Sequence, residues 1–105
     1  MKPARTRPLA EGDLVERTRH YLDAGGTELA ARFFETAVSV LRSAEEMPGI
    51  GSPVLGEIVG IPGLRRVGVD GFPCGWFYLE RSDHLDVVRL LADRQDLELI
   101  LGDTT

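Results

Sequence analysis

Two adjacent arginines, Arg65 and Arg66, stand just ahead of an aromatic run, Trp76-Phe77-Tyr78, in the stretch GLRRVGVDGFPCGWFYL at 63–79. Arginine holds phosphate or carboxylate through paired N–H bonds and stacks on aromatic rings, so such a set could bind RNA, cleave it, or grip another protein. Cleavage without a metal needs a proton carrier beside the cations. Near the expected sheet only Tyr78 and His84 qualify, and the one lysine, Lys2, lies in the N-terminal arm. The chain has no His-Glu-x-x-His, no clustered metal ligands and no serine elbow, so no catalytic residue, metal or cofactor is assigned. The single cysteine, Cys74, allows no internal disulfide and is read as a buried or half-buried inert thiol.

Charge sharpens the choice. The net charge is −5 and uneven: residues 1–10 carry Lys2, Arg5 and Arg7 and no acid, while the other 95 carry nine arginines against seventeen carboxylates. An acidic body argues against direct nucleic-acid binding over a broad surface. Length and an ordinary globular composition, 43% hydrophobic and 28% charged, predict one domain over 1–105. No apolar run is long enough to span a bilayer, and no apolar stretch follows the N-terminal charges, so a cytoplasmic protein without a membrane partner is expected.

The elements that must position these residues follow from periodicity. Residues 2–8 predict a short first strand, confined to an edge by Pro3 and Pro8. Positions 10, 14, 18, 21 and 22 share one helical face and Glu16, Arg19, His20 and Asp23 the other, with Asp13/Arg17 and Arg19/Asp23 as opposite-charge pairs one turn apart. Ala24-Gly25-Gly26 stops that helix. A second helix runs from Thr27 to about Glu46, with Ala30, Phe33, Phe34, Ala37, Val38, Leu41 and Ala44 as its apolar stripe. The short link implies an antiparallel helical hairpin.

Five glycines and three prolines in 47–63 predict a loop, with a short extended piece at 54–59. Strands follow at Leu64–Val69, Gly75–Glu80 and Leu85–Leu91, with a turn at 81–84. Leu97, Ile100 and Leu101 at helical spacing predict a short C-terminal helix, and the tail at about 102–105 is expected to be mobile. The fold class is therefore α+β: an N-terminal strand and a helical hairpin packed on a three- to four-stranded antiparallel sheet.

Strict alternation would turn Val67, Val69, Phe77, Leu79, Val88 and Leu90 toward the helices. The open face would then carry Arg66, Trp76, Tyr78, Leu85, Val87 and Arg89. Two readings of that face stand side by side: a binding surface, or a solvated one whose arginines pair with Glu80 and Asp86. A one-residue slip in register would exchange the faces.

The order strand, helical hairpin, Gly/Pro loop and three-stranded meander resembles the ParE/RelE superfamily of bacterial type II toxins. So do PLAEGDL at 8–14, ELAARFFETAVSVLRSAEEMPGIGSP at 28–53, and the set Gly-Leu-Arg, Gly-Phe-Pro, Phe-Tyr, Val-x-Arg-Leu-Leu and Arg-x-Asp within 62–101. The resemblance covers roughly 5–101. It implies a toxin that causes growth arrest or plasmid stabilisation and is neutralised by a cognate ParD-like antitoxin, which folds on binding into a heterotetramer or higher assembly. RelE-like members cleave messenger RNA in the ribosome; ParE-like members are associated with inhibiting DNA gyrase. By position, Arg65, Arg66, Arg89 and Arg94 match the family's basic residues. Many relatives have His-Gly after Val-Val-Arg-Leu-Leu, where this chain has Ala92 and Asp93, and the lysines of the ribonuclease branch are missing. The ParE-like branch is therefore favoured, with gyrase as target and with Arg65, Arg66, Trp76, Tyr78, Arg89 and Arg94 as target- or partner-binding residues. A ribosome-dependent endoribonuclease and an inactive relative are the alternatives.

Overall fold

Glycine at position 26 divides a long helical segment, α1 (Pro8–Glu46), into two arms. Its φ of 83° and ψ of −172° lie outside the helical region, in backbone space that a side chain would strain. A straight 39-residue helix would be roughly 58 Å long, yet the longest dimension of the molecule is 38 Å. The arms fold back on each other. Tyr21 and Phe33 face across the hairpin with ring centroids 4.9 Å apart, and the Lys2 backbone N–H donates to the Glu45 carbonyl at 3.0 Å. The computed structural model describes residues 1–95 and 97–101, so the tail at 102–105 lies outside the described residues.

Around the hairpin the chain forms β1 (Ala4–Thr6), α2 (Val54–Ile58), β2 (Leu64–Gly68), β3 (Cys74–Glu80), β4 (Leu85–Ala92) and α3 (Leu97–Leu101), with a 3₁₀ turn at Pro48–Ile50. The strands form one sheet in the order β1-β4-β3-β2. β2, β3 and β4 are an antiparallel meander, as expected. β1 is the correction: it pairs with β4 in parallel, Ala4 opposite Leu85 and Thr6 opposite Val87. A parallel pair needs a long crossover, which the intervening hairpin and meander supply.

The expected extended piece at 54–59 is also corrected, because Val54–Ile58 is helical. Leu55 and Val59, one turn apart, pack on the sheet, while Val54 and Ile58, also one turn apart, face outward. Tertiary packing here overrides the strand preference of β-branched residues. Gly56 makes the approach possible: a Cβ there would overlap the Leu64 carbonyl oxygen, a backbone atom that cannot swing away. Gly56→Ala is expected to cost about 1–3 kcal/mol and to lower the melting temperature by roughly 5–15 °C, read by circular dichroism.

Both faces of the sheet are covered. The hairpin side buries Phe33, Ala37, Trp76, Tyr78, Leu85, Val87 and Leu90. The other side buries Leu64, Phe77, Leu79, Val88 and Leu91 beneath α2 and α3, with Leu101 fully enclosed. The expected open face carrying Trp76, Tyr78, Leu85 and Val87 is therefore overturned: those four side chains are buried against the helices. A β-bulge is part of the reason. Phe77 opposes Arg89 but Tyr78 opposes Val87, so Val88 is an extra residue in β4. One inserted residue reverses alternation beyond it, which is why Leu85, Val87 and Leu90 point to one side and Val88 and Leu91 to the other.

Candidate functional site

Arg65 and Arg66 are neighbours in β2 and so point to opposite faces. Arg65 reaches back to the loop before α2, donating from Nη1 to the Gly51 carbonyl at 2.6 Å. Tyr78, opposite it in β3, secures the same turn: its hydroxyl donates to the Pro48 carbonyl at 2.7 Å and accepts from the Gly51 N–H at 2.9 Å. Burial pushes the Tyr78 phenol above its ordinary value. Trp76 is fully buried and its indole N–H donates to the Ala37 carbonyl at 3.0 Å. These three residues hold the fold together, and Trp76 and Tyr78 present no side-chain surface to a partner.

Arg66 turns to the other face. Its guanidinium lies over the glycine pair Gly68–Gly75, close enough that a Cβ at 75 would sit 2.7 Å from Nε. One outer nitrogen, Nη2, donates to Asp93 at 2.6 Å. Beside it opens a cavity of about 230 Å³ whose walls include Leu55, Phe77, Leu91 and Leu97. Arg94 is exposed on the turn after β4. Half-buried Arg66 and exposed Arg94 are thus expected site residues that stay accessible on this face, while Arg65, equally half-buried, stands on the other.

Arg89 is taken up by a different task. Nε and Nη2 donate to the two oxygens of Asp13 at 2.7 and 2.9 Å, and Asp13 also accepts from the Leu90 N–H at 3.0 Å. Hydrogen bonding to Asp13 raises the Arg89 pKa further above its ordinary value. This replaces the Asp13/Arg17 pair expected along the helix. Sequence reasoning did not foresee the cleft that results, about 210 Å³ and lined by Glu16, Arg17, His20 and Gln95 as well as the Asp13–Arg89 pair. Arg17, a polar residue near the edge of the apolar helical face, gave the only hint in the sequence, since His20 is expected on the opposite, polar face.

The N-terminal charges are matched by acids of the meander. Lys2 pairs with Glu80 at 2.8 Å, and Arg7 grips Asp86 with two bonds of 2.8 and 2.9 Å, joined by Arg81 at 3.1 Å. Glu80 and Asp86, expected as possible partners for the sheet arginines, pair with the N-terminal arm instead, together with Arg81. The Arg7 hydrogen bonds, opposed by partial burial and aided by Arg81, hold the Asp86 carboxyl below the usual carboxylate range. Because the folded pKa is depressed, this stabilisation is complete above the unfolded value of about 3.9 and is lost as pH falls through the folded value. Acid unfolding of the wild type should therefore include this loss below about pH 4, whereas Asp86→Asn, already weaker at neutral pH, should show a shallower acid dependence by tryptophan fluorescence.

The expected proton carriers do not meet the accessible arginines. Tyr78 has its hydroxyl committed on both sides, and His84 sits in the turn after β3 with Nδ1 2.7 Å from its neighbour Asp83. Cys74 is buried, and desolvation raises its thiol pKa. Among the described residues no group of three or more His, Cys, Asp or Glu side chains could hold a metal ion, and no helix is long and apolar enough to cross a membrane.

No protein-family model matches the sequence, and no curated protein matches it. A solved structure does: a chain described as "Chromosomal ParDE TA system from P. aeruginosa", with a TM-score of 0.75 and 19% sequence identity, over 88% of this chain and 96% of that one. A strand, a helical hairpin and an antiparallel meander are thus arranged on the same fold as a chain of a ParDE system over nearly their whole length.

Proposed function

We propose that this chain is the ParE-like toxin of a type II toxin–antitoxin system, acting in the cytoplasm on DNA gyrase by protein–protein contact and neutralised by a ParD-like antitoxin that folds onto it. The observation that carries the reading is the likeness in fold to a chain of a ParDE system, which covers 96% of that chain. The family-like motifs of the sequence, Gly-Leu-Arg at 63–65, Gly-Phe-Pro at 71–73 and Val-x-Arg-Leu-Leu at 87–91, support the same assignment.

The arrangement of charge favours contact over RNA cleavage. His20 shares a cleft with arginines, but that cleft holds Asp13 and Glu16 as well as Arg17 and Arg89. A phosphate there would meet as many carboxylates as guanidiniums, and Arg89 is already bound by Asp13. Contact through Arg66 and Arg94 needs no proton carrier. Controlled expression of the chain in bacteria tests the toxin reading. Growth should stop and should resume when the small protein encoded by the neighbouring gene is co-expressed. Unaltered growth with soluble, folded chain at high level would sink it.

A further inference from the structure

The Arg66 guanidinium is positioned with care and used sparingly. Two glycines at paired positions, Gly68 and Gly75, make room for it, and any side chain at 75 would push it away. Guanidinium has five N–H donors. Arg7 and Arg89 each spend two of theirs on a two-pronged grip of one carboxylate. The Arg66 guanidinium makes a single hydrogen bond among the described residues, to one oxygen of Asp93, and the Asp93 side chain is 48% exposed. An exposed one-pronged pair is held weakly. Next to it lies the cavity walled by Leu55, Phe77, Leu91 and Leu97, which no side chain of the described residues fills.

We propose that this site binds a carboxylate flanked by an apolar side chain on a protein partner, with Asp93 as the internal group that the partner's carboxylate displaces. The incoming carboxylate would take two donors of Arg66 in place of one, and the apolar side chain would enter the cavity beside it. Asp93 would turn to solvent, which its exposure permits. The net charge of −5 repels carboxylates from most of the surface, so a cation backed by apolar walls stands out as a place where an acidic segment gains. The biological identity of that partner as antitoxin or target rests on the toxin reading; the binding itself does not.

The probe is the blocked tripeptide acetyl-Leu-Glu-Leu-amide, titrated into the ¹⁵N-labelled chain, with its Gln counterpart as control. The Arg66 Nε–H resonance and the amides of Ala92 and Asp93 should shift and saturate, and the Gln peptide should bind at least about fivefold more weakly. Asp93→Asn removes the competing carboxylate and should tighten binding of the Glu peptide by about threefold. Arg66→Gln should abolish it while the buried Trp76 signal stays that of the folded chain. Equal binding of the two peptides, shifts that bypass Arg66, or weaker binding by Asp93→Asn would each overturn the proposal, as would no binding at all. The titration contains neither antitoxin nor gyrase, so its failure leaves the growth-arrest test to stand separately.

Discussion

Trp76→Ala should lower the folding free energy by about 3–5 kcal/mol, a large part of the roughly 5–15 kcal/mol that holds a small domain folded. The indole is fully buried where β3 meets the hairpin, paired across the sheet with Val67 on one side and Leu90 on the other. Truncation would leave a cavity in the principal core and remove the hydrogen bond to the Ala37 carbonyl. Trp76→Phe keeps most of the ring and loses the donor, so its cost should be smaller, about 1–3 kcal/mol. Urea denaturation followed by far-ultraviolet circular dichroism measures both. Had Trp76 been an exposed contact residue, Trp76→Ala would leave stability within about 0.5 kcal/mol of wild type, and that result would contradict the placement described here.

Arg89→Ala is the second large effect, about 2–3 kcal/mol, because it strands Asp13 rather than merely removing a charge. Both partners are mostly enclosed, with side-chain exposures of 22% for Arg89 and 15% for Asp13, and Asp13 keeps only its bond from the Leu90 N–H when Arg89 is gone. Asp13→Ala combined with Arg89→Ala should be less destabilising than the sum of the two single changes, since neither group is then left alone. Arg94→Ala, on an exposed turn, should be nearly neutral. Loss of toxicity in Arg89→Ala would therefore report on the fold unless stability is measured alongside it, whereas loss in Arg94→Ala or Arg66→Gln with stability retained would report on contact.

Where pattern and packing agree, the fold could be read from the chain. Two apolar stripes broken by Gly25-Gly26 specify the hairpin, and the three meander strands begin and end within about two residues of their expected bounds. Leu97, Ile100 and Leu101 mark α3 in the same way. The faces of the sheet escape simple alternation for a physical reason. Trp76-Phe77-Tyr78-Leu79 is a continuous apolar run, the signature of a strand covered on both sides, and alternation has no meaning for such a strand. Nothing local announces the bulge at Val88, so the parity of β4 could not be followed past it.

The site was legible only in part, because side-chain use depends on partners far along the chain. Arg65 and Arg66 look equivalent in sequence, yet strand alternation sends one to the Gly51 carbonyl and the other to Asp93 and the cavity. Arg89 meets Asp13 across 76 positions, a distance at which no spacing rule operates. The β1–β4 pairing is hidden in the same way, since its direction is set by how the hairpin returns the chain and not by the three residues of β1.

The most direct test of the central claim is DNA gyrase supercoiling measured with rising amounts of the purified, antitoxin-free chain, scoring cleaved DNA as well as supercoiling. The account predicts inhibition with accumulation of cleaved DNA, relieved by the antitoxin and weakened by Arg66→Gln. No effect at large molar excess of folded chain would contradict it, and a chain that arrests growth all the same would then be tested against the ribosome.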